Sequence, residues 1–234
     1  MKRAGTILWL MTIIVAAAAQ QPFSRSRTAF LNDQQRAAEK ILDSCEKRGY
    51  YTDSVHFYRA MNYARSGELK KAKKTVKALA KQYPAFGELD YLKGILSYNE
   101  TNYARSIDEF SRSIEKNPTH YRAIYNRSLA YGMMDEYLFA IEDLGRLIAL
   151  NPADGKIYYS RAYWYEYTGN YTEAAKDYSE AIKLDPRNFD AYLGLAFSYR
   201  QLGEKDRSCD VMTQAINAGS QIAAELRAAY CENE

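Results

Sequence analysis

Pro84, Pro118, Pro152 and Pro186 stand 34 residues apart, and one more step of the same length lands on Ser220. Only Pro22 lies outside the series. So regular a period restricts the chain to a row of equivalent units, each burying its apolar face against its neighbours. The text before the prolines repeats as well: YARSIDEFSRSIEKNP from Tyr103, YLFAIEDLGRLIALNP from Tyr137 and YTEAAKDYSEAIKLDP from Tyr171, with a degenerate copy, KDRSCDVMTQAINAGS, closing at Ser220. Within each unit the apolar spacing is helical and is broken once, at Gly67, Thr101-Asn102, Asp135, Gly169 and Gly203. The proline then ends the second helix. Each unit therefore reads as helix, turn, helix, over 53–86, 87–120, 121–154, 155–188 and 189–222.

Superposing the units exposes columns with a physical meaning. Ala60, Gly94, Ser128, Ala162 and Ala196 share one position of the first helix, and Ala72, Ser106, Ala140, Ala174 and Ser208 one position of the second. All ten are small, which marks where facing helices cross closely. Val76, Phe110, Leu144, Tyr178 and Met212 form one core row, and Ala80, Ile114, Ile148, Ile182 and Ile216 another. A base at Lys93, Arg127 or Arg161 is matched sixteen residues later by an acid at Glu109, Asp143 or Asp177, whereas Leu195 is matched by Val211. That covariation predicts an ion pair inside each of the three middle units, replaced by an apolar contact in the last. In the first unit Arg59 is matched by Thr75.

The array resembles the tetratricopeptide-repeat family, whose pattern runs W-x2-L-G-x2-Y, then A-x3-F, then P. The fourth unit matches with Tyr158, Ala162, Tyr165, Ala174, Tyr178, Ala181 and Pro186, departing chiefly at Arg161; the Trp column holds His56, Asp90, Ile124, Tyr158 and Tyr192. The resemblance implies an all-α, right-handed α-solenoid whose first helices line a concave groove. At the family's groove positions stand Phe57, Met61, Tyr91, Tyr98, Arg122, Tyr125, Met133, Lys156, Tyr159, Tyr163, Tyr167 and Arg200. Rings with scattered cations suit an extended peptide or helix bearing aromatic or acidic side chains. The family's carboxylate clamp is matched only at Asn126 and Lys156, so chaperone-tail binding is not expected.

Both ends require caps, because a terminal unit exposes an apolar face. Residues 20–52 combine a flexible lead with half a repeat, in which Ala38, Leu42 and Cys45 fall 34 residues before Ala72, Val76 and Leu79; 223–234 read as a closing helix. Ahead of these, Lys2-Arg3, the apolar run Ile7–Ala19 and the small residues Ala17-Ala18-Ala19 make residues 1–19 a secretory signal peptide. The apolar run is shorter than the roughly 20 residues a spanning helix needs, and no Cys follows the small residues. The expectation is an exported chain, periplasmic in preference to secreted. Outside the cytoplasm three cysteines leave at least one unpaired. Cys209 and Cys231 are the pair brought near one another by the closing helix; the alternative is three small buried apolar side chains.

Charge and motif searches restrict function further. The chain carries 32 bases and 29 acids, and Lys2 and Arg3 leave with the signal segment. This balance gives no electrostatic footprint for nucleic acid. Neither His56 nor His120 has a second ligand at metal spacing, and no phosphate loop, GxSxG or HExxH is present. No cofactor, metal or catalysis is expected. One unit differs in charge: 53–86 holds eight bases against two acids, with Lys70, Lys71, Lys73, Lys74, Lys77 and Lys81 on its second helix. The expected function is a non-catalytic scaffold holding a partner protein or peptide in the groove, within a bacterial cell-envelope assembly or secretion process. The alternative is a peripheral envelope component that rests on an anionic membrane or polymer through the lysine-rich helix. Association of copies through their ends is a third possibility, and the oligomeric state is not legible.

Overall fold

A computed structural model describes residues 39–44, 47–48 and 52–231. The signal segment, the lead, Ala38 and Cys45 lie outside the described residues. Every regular element among the described residues is helical, and the chain divides into two compact units at Glu100 and Thr101. The first contains a helical stretch over 39–44, then α1 (Thr52–Arg65), α2 (Leu69–Gln82) and α3 (Leu89–Asn99). The second contains α4 (Tyr103–Lys116), α5 (Tyr121–Gly132), α6 (Tyr137–Leu150), α7 (Gly155–Tyr167), α8 (Tyr171–Leu184), α9 (Phe189–Gln201), α10 (Lys205–Asn217) and α11 (Gln221–Cys231). Within each unit every helix packs on the next, and α1 also touches α3 as α7 touches α9. This is the stacked-hairpin arrangement of an α-solenoid.

Why the hairpins turn where they do is written in one backbone torsion. Gly67, Thr101, Asp135, Gly169 and Gly203 all have positive φ, between 59° and 80°, at the same register of the 34-residue period. The next residue's N–H then reaches back five residues, as in Glu68 N to Tyr63 O at 2.9 Å, Glu136 N to Tyr131 O at 3.0 Å and Asn170 N to Tyr165 O at 2.8 Å. This closes α1, α5, α7 and α9 with a left-handed residue. Thr101, β-branched at φ 59°, is the strained member of the set. Thr101→Gly should raise stability by about 1 kcal/mol, read as a higher urea midpoint at unchanged slope. At the opposite end of the hairpins, side chains cap the first helices: Asn188 accepts from Ala191 N at 3.1 Å, and His120 Nδ1 accepts from Ala123 N at 3.2 Å. His120, the last residue of the loop before α5, is thus a buried N-cap.

The ten small residues are all buried, and Ser208 Oγ donates to Ala196 O at 2.8 Å across a crossing. Val76, Phe110, Leu144, Tyr178 and Met212 are buried too. The second row is half-buried except for Ile114, which is buried. Arg127 grips Asp143 with two parallel bonds, Nε to Oδ2 at 2.8 Å and Nη2 to Oδ1 at 2.7 Å. Arg161 holds Asp177 the same way at 2.6 and 2.8 Å. Leu195 and Val211 are buried in their place in the last hairpin. Lys93 lies 3.4 Å from Asp90, and Glu109 pairs with Arg105 at 3.1 Å and Arg112 at 3.3 Å, each inside its own unit.

The ends are held by polar chemistry and a covalent bond. Leu42 is buried, and Arg59 reaches Asp43 at 2.8 Å and Glu39 at 3.4 Å, so the 39–44 stretch is tied to α1. At the other end Cys209 of α10 and Cys231 of α11 form a disulfide with Cα atoms 6.0 Å apart. A bond closing a loop of this size is worth about 3 kcal/mol to whatever unfolds with it. Because α11 packs chiefly on α10, reduction should speed amide exchange of α11 by about a hundredfold and leave the transition of the remaining helices nearly unmoved.

Candidate protein-binding site

The groove positions divide by burial. Phe57 and Tyr91 are 5% and 2% exposed, so neither presents its ring to a ligand. The expectation for these two is corrected: Phe57 packs edge-on against Phe86 and Tyr58, with centroids 5.9 and 5.2 Å away. Both rings are buried in the first unit with Leu79, Leu89, Leu92 and Leu96. Met61 and Tyr98 are half-buried. In the second unit Arg122, Lys156 and Arg200 are exposed, as is Met133, whereas Tyr125 and Tyr159 are half-buried. Tyr125 Oη lies 3.5 Å from Ser160 Oγ, and Tyr159 leans on Tyr178 at 5.8 Å. Tyr163 and Tyr167 are 38% and 56% exposed, with hydroxyls 3.1 Å apart. The helices α5, α7 and α9 thus carry half-buried rings, exposed rings and cations at the expected positions.

Sequence reasoning passed over the rings that adjoin this face. Tyr137, first residue of α6, stacks on Trp164 at 5.6 Å and meets Tyr167 at 5.3 Å; Trp164 in turn lies 4.9 Å from Tyr163 and 5.7 Å from Tyr167. Trp164 is seated by a missing side chain, since a Cβ on Gly132 would come within 2.7 Å of three of its ring atoms. Its buried indole N–H has no hydrogen-bond partner among the described residues. Beside the cluster, the turn before α6, the first residues of α6 and Thr168 surround a cleft of 310 Å³. Leu138 and Phe139 at its edge are 72% and 49% exposed. Phe197 on α9, 45% exposed, was also missed. The signal for Leu138 and Phe139 was available in the columns. Where α6 has them, the other second helices carry Lys70 and Lys71, Ala104 and Arg105, Thr172 and Glu173, and Asp206 and Arg207.

All six lysines of α2 are exposed, with Lys70, Lys74, Lys77 and Lys81 in one row along the helix. Lys71 pairs with Glu68 and Lys73 with Glu100, so part of that charge is already neutralised. Among the described residues no group of His, Cys, Asp and Glu could hold a metal ion, and no helix is long and apolar enough to cross a membrane.

One titratable pair lies between α7 and α8. Burial holds the Glu166 carboxyl above its usual range, and the hydroxyl of fully buried Tyr178 donates to it. A carboxyl whose folded pKa is raised binds its proton more tightly in the folded chain than in the unfolded one. Stability should therefore fall as pH rises from the ordinary glutamate value through the raised one, and stay lowered above it. Urea midpoints between about pH 4 and 7 should show this slope in the wild type and lose it in Glu166→Gln.

Two tetratricopeptide-repeat profiles match the chain, one (TPR repeat) over residues 165–203 and one (Tetratricopeptide repeat) over 54–85 and 190–218. Comparison with curated protein sequences gives no match. Among solved structures the fold is similar to MamA. A crystal structure of MamA protein is 22% identical, with 78% of this chain and 97% of that chain covered and a TM-score of 0.63. MamA 41-end from Desulfovibrio magneticus RS-1 is 20% identical, covering 71% of this chain and 94% of that one at a TM-score of 0.64. At such identity the likeness speaks to the fold alone. The profile matches place tetratricopeptide repeats at 54–85 and within 165–218, and the stacked hairpins have the fold of that class. That class consists of helical solenoids that act as protein-interaction scaffolds.

Proposed function

We infer that the protein is a non-catalytic scaffold that holds a partner protein or peptide against the first helices of its repeats. The carrying observation is the arrangement on α5, α7 and α9: exposed Arg122, Lys156, Tyr163, Tyr167 and Arg200 around half-buried Tyr125 and Tyr159. Rings supply contact area at low entropic cost, and the cations select acidic or aromatic side chains on the partner. The N-terminal segment Met1–Ala19, read as a secretory signal, supports a place outside the cytoplasm, in a bacterial cell-envelope assembly or secretion process. Crosslinked capture from native envelope should recover a partner with the wild type, and Tyr125→Ala with Lys156→Glu should lower recovery about tenfold. Equal recovery by both chains would end the reading.

The lysine row on α2 favours a second reading, contact with an anionic membrane or envelope polymer. A polybasic contact weakens steeply with salt, since charges are screened beyond about 8 Å at physiological ionic strength. Binding to anionic vesicles that vanishes with added salt and with Lys74→Glu plus Lys77→Glu would support this second reading. Capture that persists in salt supports the first.

A further inference from the structure

The outward row of α6 breaks the pattern of its siblings. One helical line along each of the other second helices reads Lys70, Lys74, Lys77, Lys81 on α2; Ala104, Asp108, Ser111, Glu115 on α4; Thr172, Lys176, Ser179, Lys183 on α8; and Asp206, Asp210, Thr213, Asn217 on α10. On α6 the same line reads Leu138, Glu142, Gly145, Ala149. Phe139 and Leu150 flank it, 49% and 45% exposed. A helix with apolar side chains on its outer as well as its inner face is expected to be covered on both. Yet within its unit this face of α6 remains bare: Leu138, at 72%, is the most exposed large apolar side chain among the described residues.

The rim states what covers it. Asp135, Glu136 and Glu142 surround the 310 Å³ cleft, and no base lines it. None of the three makes an ion pair among the described residues; Asp135 accepts the Tyr137 hydroxyl at 2.5 Å. Three carboxylates around an apolar hollow repel an anionic lipid surface and attract a cation next to an apolar side chain. Tyr137, Tyr167 and buried Trp164 make a rigid wall beside it. We propose that the outer face of α6 and the adjoining cleft form a second docking surface, for a partner segment with a large apolar residue flanked by Lys or Arg. Leu138 and Phe139 are its apolar contacts, and Asp135, Glu136 and Glu142 its charge selectors. The surface adjoins the face formed by the first helices at Tyr167 but differs from it in charge, since that face carries cations and is expected to take acidic or aromatic side chains.

The test uses the full chain carrying Trp9→Phe, in which Trp164 is the sole tryptophan and reports from the site itself. The comparison variant is Leu138→Thr with Phe139→Glu, the pair that α8 carries at Thr172 and Glu173. Both positions are exposed, so helix content should not change. A phage-displayed library of random peptides is selected on the first protein and counter-selected on the variant. Enriched peptides should combine Leu, Phe or Trp with neighbouring Lys or Arg. The best of them should shift Trp164 fluorescence, lose about tenfold or more in affinity on the variant, and bind Tyr125→Ala with Lys156→Glu unchanged. Enrichment without basic residues, or equal affinity for wild type and variant, overturns the proposal. So does vesicle binding or self-association that needs Leu138 and Phe139 while no peptide is enriched. Loss of native-partner capture in the α5 and α7 variant alone bears on the groove and leaves this surface standing.

Discussion

Gly194→Ala is expected to cost about 3 kcal/mol, the upper end for overpacking a core, although alanine in mid-helix normally gains roughly 1 kcal/mol over glycine. The sign is reversed by one neighbour. A Cβ at residue 194 would stand within 2.7 Å of three atoms of the Tyr178 ring, which is 1% exposed and anchored at its hydroxyl by Glu166. The ring cannot swing away without breaking that bond or entering Tyr159, so α9 must back off from α8. Gly145→Ala is the internal control, since its Cβ would meet nothing nearer than Arg161 Nη1 at 3.7 Å, and it should stabilise by about 1 kcal/mol. Opposite shifts of the urea midpoint in these two variants check the account, and equal shifts would refute it. Gly132→Ala should behave like Gly194→Ala and also displace Trp164, visible as a changed emission maximum.

Asp143→Leu should cost about 3 kcal/mol, because it leaves the half-buried Arg127 guanidinium at the crossing without its carboxylate. Asp143 is 2% exposed and takes both parallel bonds. Arg127 keeps Ser111 Oγ at 3.0 Å, a neutral acceptor that replaces little of the lost attraction. Adding Arg127→Leu should recover most of the loss, because the resulting pair imitates Leu195 and Val211, which the protein already uses. Urea unfolding of both single variants and the double variant isolates the coupling. A double variant as unstable as Asp143→Leu alone would show that the two side chains act separately.

The helix pairs, their turns and their crossings were legible because repetition supplies its own internal comparison. A residue such as Ala162 is ambiguous alone, but with four small counterparts it marks a crossing. The arginine and aspartate columns were readable for the same reason. What escaped is what repetition hides: departures confined to one unit. Trp164 replaces Asn62, Leu96, Ala130 and Ser198 of its column, and Gly132 makes the room. Leu138 and Phe139 depart likewise. The groove was assigned through family positions, which assume every unit packs alike. Phe57 and Tyr91 show the error, because the first unit spends its rings on its own interior.

The change from two arginine-aspartate crossings to a leucine-valine one in the last hairpin has a consequence for how the chain finds its partners while folding. Sister helices are similar enough that α7 could try to mate with α10 in place of α8. Such a mismatch would seal Arg161 against Val211 and strand Asp177 against an aliphatic neighbour. The last crossing therefore works as a keyed lock, rejecting the arginine- and aspartate-bearing helices that shape alone would admit.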